Sequence, residues 1–179
     1  MMVREAYAQD VARQVLTKLP KVLPVDVLGI CEACDYVVRF HDEALDKNEE
    51  AVTFCIRDRY VIILKKVTAS CRLRWTIAHE LGHILLGHFA EYDLSFNGAD
   101  KLGRSVAWGL NREANRFAEE LLMPEDFIRN NLWRGPDYLR HFCDVSRQSL
   151  AIRLKTLGLE PPSGGSAAVA AETAAIYET

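Results

Sequence analysis

Thr76–His88 reads TIAHELGHILLGH, holds three of the chain's five histidines and places Glu80 directly after the first of them. On an α-helix, residues four apart differ by only about 40° around the axis and lie about 6 Å apart along it. His79 and His83 therefore present two imidazoles toward one point, the arrangement a tetrahedral Zn²⁺ takes from one helix, with nitrogens about 2.0–2.1 Å from the metal. Glu80 lies about 100° round from His79, close enough to act as general base on an activated water without ligating the metal itself. A helix with coincidental histidines is the bland alternative. Against it, Trp75, Ala78, Leu85, Leu86 and Phe89 form an apolar face distinct from the His79/Glu80/His83 side, and Gly82 permits close packing by a neighbour.

The stretch sits in a chain of 179 residues, 49% hydrophobic and 26% charged with a formal net charge of −3. Such a chain has the size and composition of one soluble globular domain and argues against a disordered or nucleic-acid-coating protein. No apolar run approaches the roughly 20 residues that cross a bilayer, and the start lacks a secretory apolar block. Five irregularly spaced cysteines are poor material for a disulfide framework. A cytoplasmic protein is expected.

Upstream, Ala8, Val11, Ala12, Val15, Leu16 and Leu19 recur at helical spacing until Pro20. Pro24 to about Cys34 reads as a short helix with Pro24 in its first turn. YVVRFH, AVTFCIRD and RYVIILKK are β-branched and aromatic runs, the last two meeting at Asp58 and Arg59 as in a tight hairpin. Thr68 or Ser70 offers a cap for the helix that continues to about His88. Phe89–Gly103 reads as a long loop, and helical spacing returns from Arg104 to Met123, cut by Pro124. EDFIRNNLW and PDYLRHFCDVSRQSLAIRLKTLGL then predict short helices, the last two joined around Val145 and Ser146. The expected class is α+β: a small, mostly antiparallel sheet packed on helices. Residues 1–159 make one domain, with 124–159 as a helical, helix-turn-helix-like appendage, and 160–179 is a Pro/Gly/Ser/Ala-rich flexible tail.

A catalytic zinc needs a third protein ligand. His88, Glu91, Asp93 and a residue of the next helix are candidates. In the metzincin pattern a glycine three residues and a histidine six residues after the second ligand are required; Gly87 and His88 stand four and five after His83, so His88 misses that register. On the next helix, Glu113 lies at the edge of a stripe formed by Ala114, Phe117, Ala118, Leu121 and Leu122, from which it can face inward.

TIAHELGHILLGH, followed by EANRFAEELLMP and then VSRQSLAIRLKTLGL, resembles the ImmA/IrrE family of metallopeptidases from about Pro24 to Leu159. The resemblance implies a thermolysin-like, gluzincin-type core, with His79, His83 and Glu113 as ligands of Zn²⁺ and Glu80 as the catalytic base. Members often carry a further acidic residue two positions before the matching glutamate, where this chain has Asn111. The resemblance also implies a site-specific protease whose protein substrate is a helix-turn-helix transcriptional repressor. Two imidazoles and a carboxylate do not select zinc uniquely, so Mn²⁺ or another divalent ion is an alternative.

Arg147, Arg153 and Lys155 on the last helix invite a DNA-binding reading, as part of a non-catalytic regulator with a structural metal. The apolar residues around them and the negative net charge favour a packed helix over direct nucleic-acid binding. Cys31 and Cys34 lack the second half of a zinc ribbon and read as core thiols. Arg72 and Arg74 read as a solvated face, and His41 and His141 as surface or satisfied histidines. Tyr92 and His88 are the candidates for an oxyanion donor. Oligomeric state leaves no mark in the sequence.

Overall fold

The computed structural model describes residues 2–41, 45, 50–57, 59–66, 69–92, 94 and 102–160. Its fold is α+β, a small three-stranded sheet packed on helices. Helix α1 (Glu5–Thr17) buries Ala8 and Ala12, small residues that let it lie close against α5 (Arg104–Leu122). Helix α2 (Val27–Ala33) starts later than Pro24, because the Asp26 side chain accepts from Gly29 N and caps it.

Strands β1 (Val37–Phe40), β2 (Ala51–Ile56) and β3 (Arg59–Leu64) form a sheet in the order β1-β3-β2. β2 and β3 make the expected antiparallel hairpin, Ile56 pairing with Arg59, so the turn falls one residue earlier than the sequence suggests. Arg57 in that turn is left-handed, with φ 51°, as two-residue hairpins demand. β1 runs parallel to β3, which makes the sheet mixed, with one pair of each kind. Ile62 and Leu64 of β3 are buried and join the core that also takes in Ile77, Ala78, Leu81 and Ile84 of α3 (Ser70–Leu85).

Helix α3 differs from expectation at both ends. Its N-cap is Ala69, without a side-chain cap; Ser70 is its first residue and its hydroxyl donates to Asp144, while Thr68 lies outside the described residues. At the other end the helix stops at Leu85, because Gly87 takes the left-handed conformation, φ 77°, that glycine adopts without a Cβ penalty. A short helix α4 (His88–Glu91) follows in the segment read as a loop; residues 93 and 95–101 of that segment lie outside the described residues.

Pro124 ends α5 as expected, and α6 (Glu125–Asn131), a 3₁₀ turn (Leu132–Arg134), α7 (Pro136–Cys143) and α8 (Arg147–Thr156) complete the fold. Ser146 caps α8 by accepting from Ser149 N. Leu139, Cys143, Val145, Leu150 and Leu154 belong to the same core as α3 and α5, so the C-terminal helices share the domain's single interior. Arg153 is fully buried and donates to Glu120 Oε2 at 2.5 Å and to the Met123 carbonyl at 3.1 Å. It is thereby withdrawn from any phosphate-binding surface. Arg74 is also not solvated: it donates to the Val25 carbonyl at 2.8 Å and faces Asp144 at 3.5 Å, whereas Arg72 is exposed and paired with Glu50. Cys31 is a core thiol, its pKa pushed up to about 12 chiefly by burial, but Cys34 is exposed. His41 and His141 are surface residues. Among the described residues, no helix is long and apolar enough to cross a membrane.

Candidate metal centre

The site is built where α3 meets α5, and Gly82 sets their separation. A Cβ placed on Gly82 would stand 3.0 Å from Ala114 Cα and 3.1 Å from its carbonyl oxygen, so any larger residue would press α5 outward by a few tenths of an ångström. The close crossing brings Asn111 and Asn115, one turn apart on α5, against His79. His79 Nδ1 lies 2.9 Å from Asn115 Oδ1, and the imidazole N–H is the only donor of the two, so this contact places the His79 proton on Nδ1. His79 Nε2 is the ring nitrogen that faces α5 and His83.

A second chain of contacts reaches the same result for His83. Glu113 is fully buried and accepts from Arg4 N at 2.8 Å, Arg4 Nε at 3.0 Å and His88 Nε2 at 3.2 Å. Burial acts to raise the Glu113 carboxyl, but the Arg4 and His88 hydrogen bonds outweigh it and hold the group below the ordinary carboxylate range. Burial chiefly keeps His88 below the usual histidine value despite the glutamate beside it. A neutral His88 that donates from Nε2 must accept at Nδ1, which lies 3.0 Å from His83 Nδ1. His83 therefore donates from Nδ1 and also turns a lone pair outward at Nε2. Burial, then the neighbouring imidazoles of His79 and His88, hold His83 well below its ordinary pKa.

The two Nε2 atoms stand 3.1 Å apart. Asn111 Oδ1 lies 3.2 Å from His79 Nε2, and the amide also interacts with His83. Its orientation is fixed, because Asn111 Nδ2 donates to the Ala107 carbonyl at 2.9 Å. His79 Nε2, His83 Nε2 and Asn111 Oδ1 thus converge on one point, three atoms that can each offer a lone pair to a cation. Nitrogens about 2.0–2.1 Å from a tetrahedral metal stand roughly 3.3 Å apart, so the imidazole pair fits a divalent ion.

Glu80, on the same helix, accepts a hydrogen bond of 2.6 Å from the buried Thr53 hydroxyl of β2. The structure thus brings His79 and His83 together, with Glu80 on the same helix and its carboxylate bound to Thr53. It does not bring Glu113 to the imidazole pair; that carboxylate is spent on Arg4 and His88, and Asn111 occupies the third corner. Among the described residues, no group of three or more His, Cys, Asp or Glu is placed to hold a metal ion. Of the other third-ligand candidates, Glu91 is exposed and pairs with Arg4 Nη1 at 2.9 Å, and Asp93 lies outside the described residues. His88 is fully buried with both ring nitrogens engaged, which removes it as an oxyanion donor; Tyr92 caps the C-terminus of α4. Sequence reasoning missed Thr53, Asn115 and Arg4, and missed His88 as a partner of His83. Gly87 was the available signal for His88, since a left-handed glycine there turns the chain back onto the helix just ended.

A sequence model of the peptidase family described as the IrrE N-terminal-like domain matches residues 31–155, most of the chain. The chain belongs to this family. None of the curated proteins matches it. A solved structure titled a Mycobacterium tuberculosis transcriptional regulator is similar in fold, with a TM-score of 0.61 at 16% identity, over 84% of this chain and 46% of that one. This IrrE-type domain thus spans about half the length of that regulator. Family membership makes it a metallopeptidase-like domain.

Proposed function

We propose that this domain is a metal-dependent peptidase that cleaves a helix-turn-helix transcriptional repressor in the cytoplasm. The observation that carries the reading is the convergence of His79 Nε2 and His83 Nε2, 3.1 Å apart, on the helix whose Glu80 carboxylate is held at 2.6 Å by Thr53. His79 and His83 would hold the cation, Zn²⁺ or another divalent ion such as Mn²⁺, with Asn111 at the third corner. When bound, the cation supplies Lewis-acid polarisation of the scissile carbonyl and lowers the pKa of the attacking water. Glu80 would take the proton of that water and return it to the leaving amine. Asn115 and the His88–Glu113 pair keep the two imidazoles in the tautomers that expose Nε2. The repressor substrate is supported by family membership and by the fold shared with a protein titled a transcriptional regulator.

The test is Glu80→Gln in the full chain, incubated with a helix-turn-helix repressor that the parent chain cleaves. Loss of cleavage with metal retained is expected; normal cleavage overturns the mechanism. A second reading, a non-catalytic regulator that binds its repressor or DNA, draws on one observation: the third corner is a neutral amide. Under that reading Glu80→Gln leaves regulation unchanged.

A further inference from the structure

The geometry points to Asn111 as the third donor of the centre, and to a weakly held, exchangeable metal as the consequence of its neutral amide. This inference rests on the metal-dependent reading above and concerns how strongly that metal is bound.

Position on α5 separates the two candidates for the third corner. Residues two apart on a helix point about 200° away from each other, so Asn111 and Glu113 cannot both serve one point beside α3. Asn111 shares its face with Asn115, four residues on, and both side chains reach His79. Glu113 points to the opposite partners, and for it to turn inward Arg4 and His88 would lose their shared acceptor. The Asn111 side chain needs no such rearrangement. It is exposed in the cleft, and the Ala107 carbonyl already orients its oxygen toward the imidazoles.

An asparagine at this corner changes the charge of the donor set. Two neutral imidazoles and an amide oxygen leave the full dipositive charge of the cation uncompensated by any ligand. A carboxylate there removes one unit of that charge and is a stronger donor than an amide; affinity for hard cations is commonly tuned through the count of charged ligands. Glu80 is the nearest carboxylate on α3, but its oxygen is held toward Thr53, on the general-base side. The centre therefore binds its metal weakly enough to exchange with the surrounding pool, and metal supply can govern whether the domain is loaded.

Zn²⁺ and Mn²⁺ affinities of the full chain, measured by competition with a chromophoric chelator, test this directly. Asn111→Asp is expected to tighten binding by about tenfold or more, a range that even outer-shell changes can reach, and Asn111→Ala to loosen it. Because Asn111 is exposed, neither change threatens the fold, and thermal melting checks that. If Asn111→Asp leaves affinity unchanged while His79→Ala still abolishes binding, Asn111 is not a donor and the inference falls although the metal reading stands. If the folded wild-type chain and Asn111→Asp both bind no metal, the metal reading falls with it.

Discussion

The Thr53 hydroxyl of strand β2 donates to Glu80 Oε2 of helix α3 across 2.6 Å, tying the sheet to the base of the proposed reaction. A hydrogen bond to a charged group contributes about 1.5–3 kcal/mol, and here it also fixes where the carboxylate points. Thr53→Val, which keeps the branched shape but removes the donor, is expected to lower kcat about tenfold with KM and metal content little changed. Thr53→Ser should restore most of the loss. An unaltered kcat in Thr53→Val would show that Glu80 is positioned by something else.

Gly82 makes a second prediction, one in which the sign matters. In an exposed helix, replacing glycine by alanine stabilises by roughly 0.5–1 kcal/mol. At position 82 the added methyl would press on the Ala114 backbone at 3.0 Å and on Phe117 at 3.2 Å. Overpacking of this kind costs about 1–3 kcal/mol. Gly82→Ala is therefore expected to lower the midpoint of chemical denaturation and, by moving α5 away from α3, to weaken metal binding. A stabilised variant would contradict the close helix crossing described above.

The third prediction concerns Arg153 and Glu120, buried partners 2.5 Å apart that join α8 to the end of α5. Removing one member of a buried ion pair costs about 3–5 kcal/mol because the other charge stays behind. Arg153→Met should fall near the lower end of that range, since Glu120 Oε1 keeps the Glu125 amide at 3.2 Å and Arg13 at 3.4 Å. The double variant Arg153→Met/Glu120→Leu should recover much of the loss in equilibrium unfolding. If the single variant is as stable as the parent, the last helix does not depend on this pair.

These relationships explain which parts of the site were legible in the sequence. His79, Glu80 and His83 could be placed because they share one helix, where spacing alone fixes direction. The helices and the hairpin were legible for the same reason, their apolar periodicity being a local property. The third corner was not, because which of Asn111 and Glu113 faces α3 depends on how two helices roll against each other. That roll is set by the contact of Gly82 with Ala114 and by an arginine 109 residues away in sequence from the glutamate it holds. Thr53 was equally hidden: alternation in AVTFCI predicts a strand, but not that a buried hydroxyl meets a carboxylate on another element. Arg153 invited a phosphate-contact reading, set below a packed helix, because nothing near it in sequence announces Glu120.

The line of contacts behind His83 has a practical side. Three successive links, Arg4 to Glu113, Glu113 to His88 and His88 to His83, run from the residue that precedes α1 to a proposed metal ligand. A change at or next to Arg4 therefore acts on the imidazole three links along. A preparation that begins at Glu5 lacks the guanidinium that balances a fully buried carboxylate, and its metal content reports on the missing arginine as much as on the histidines themselves.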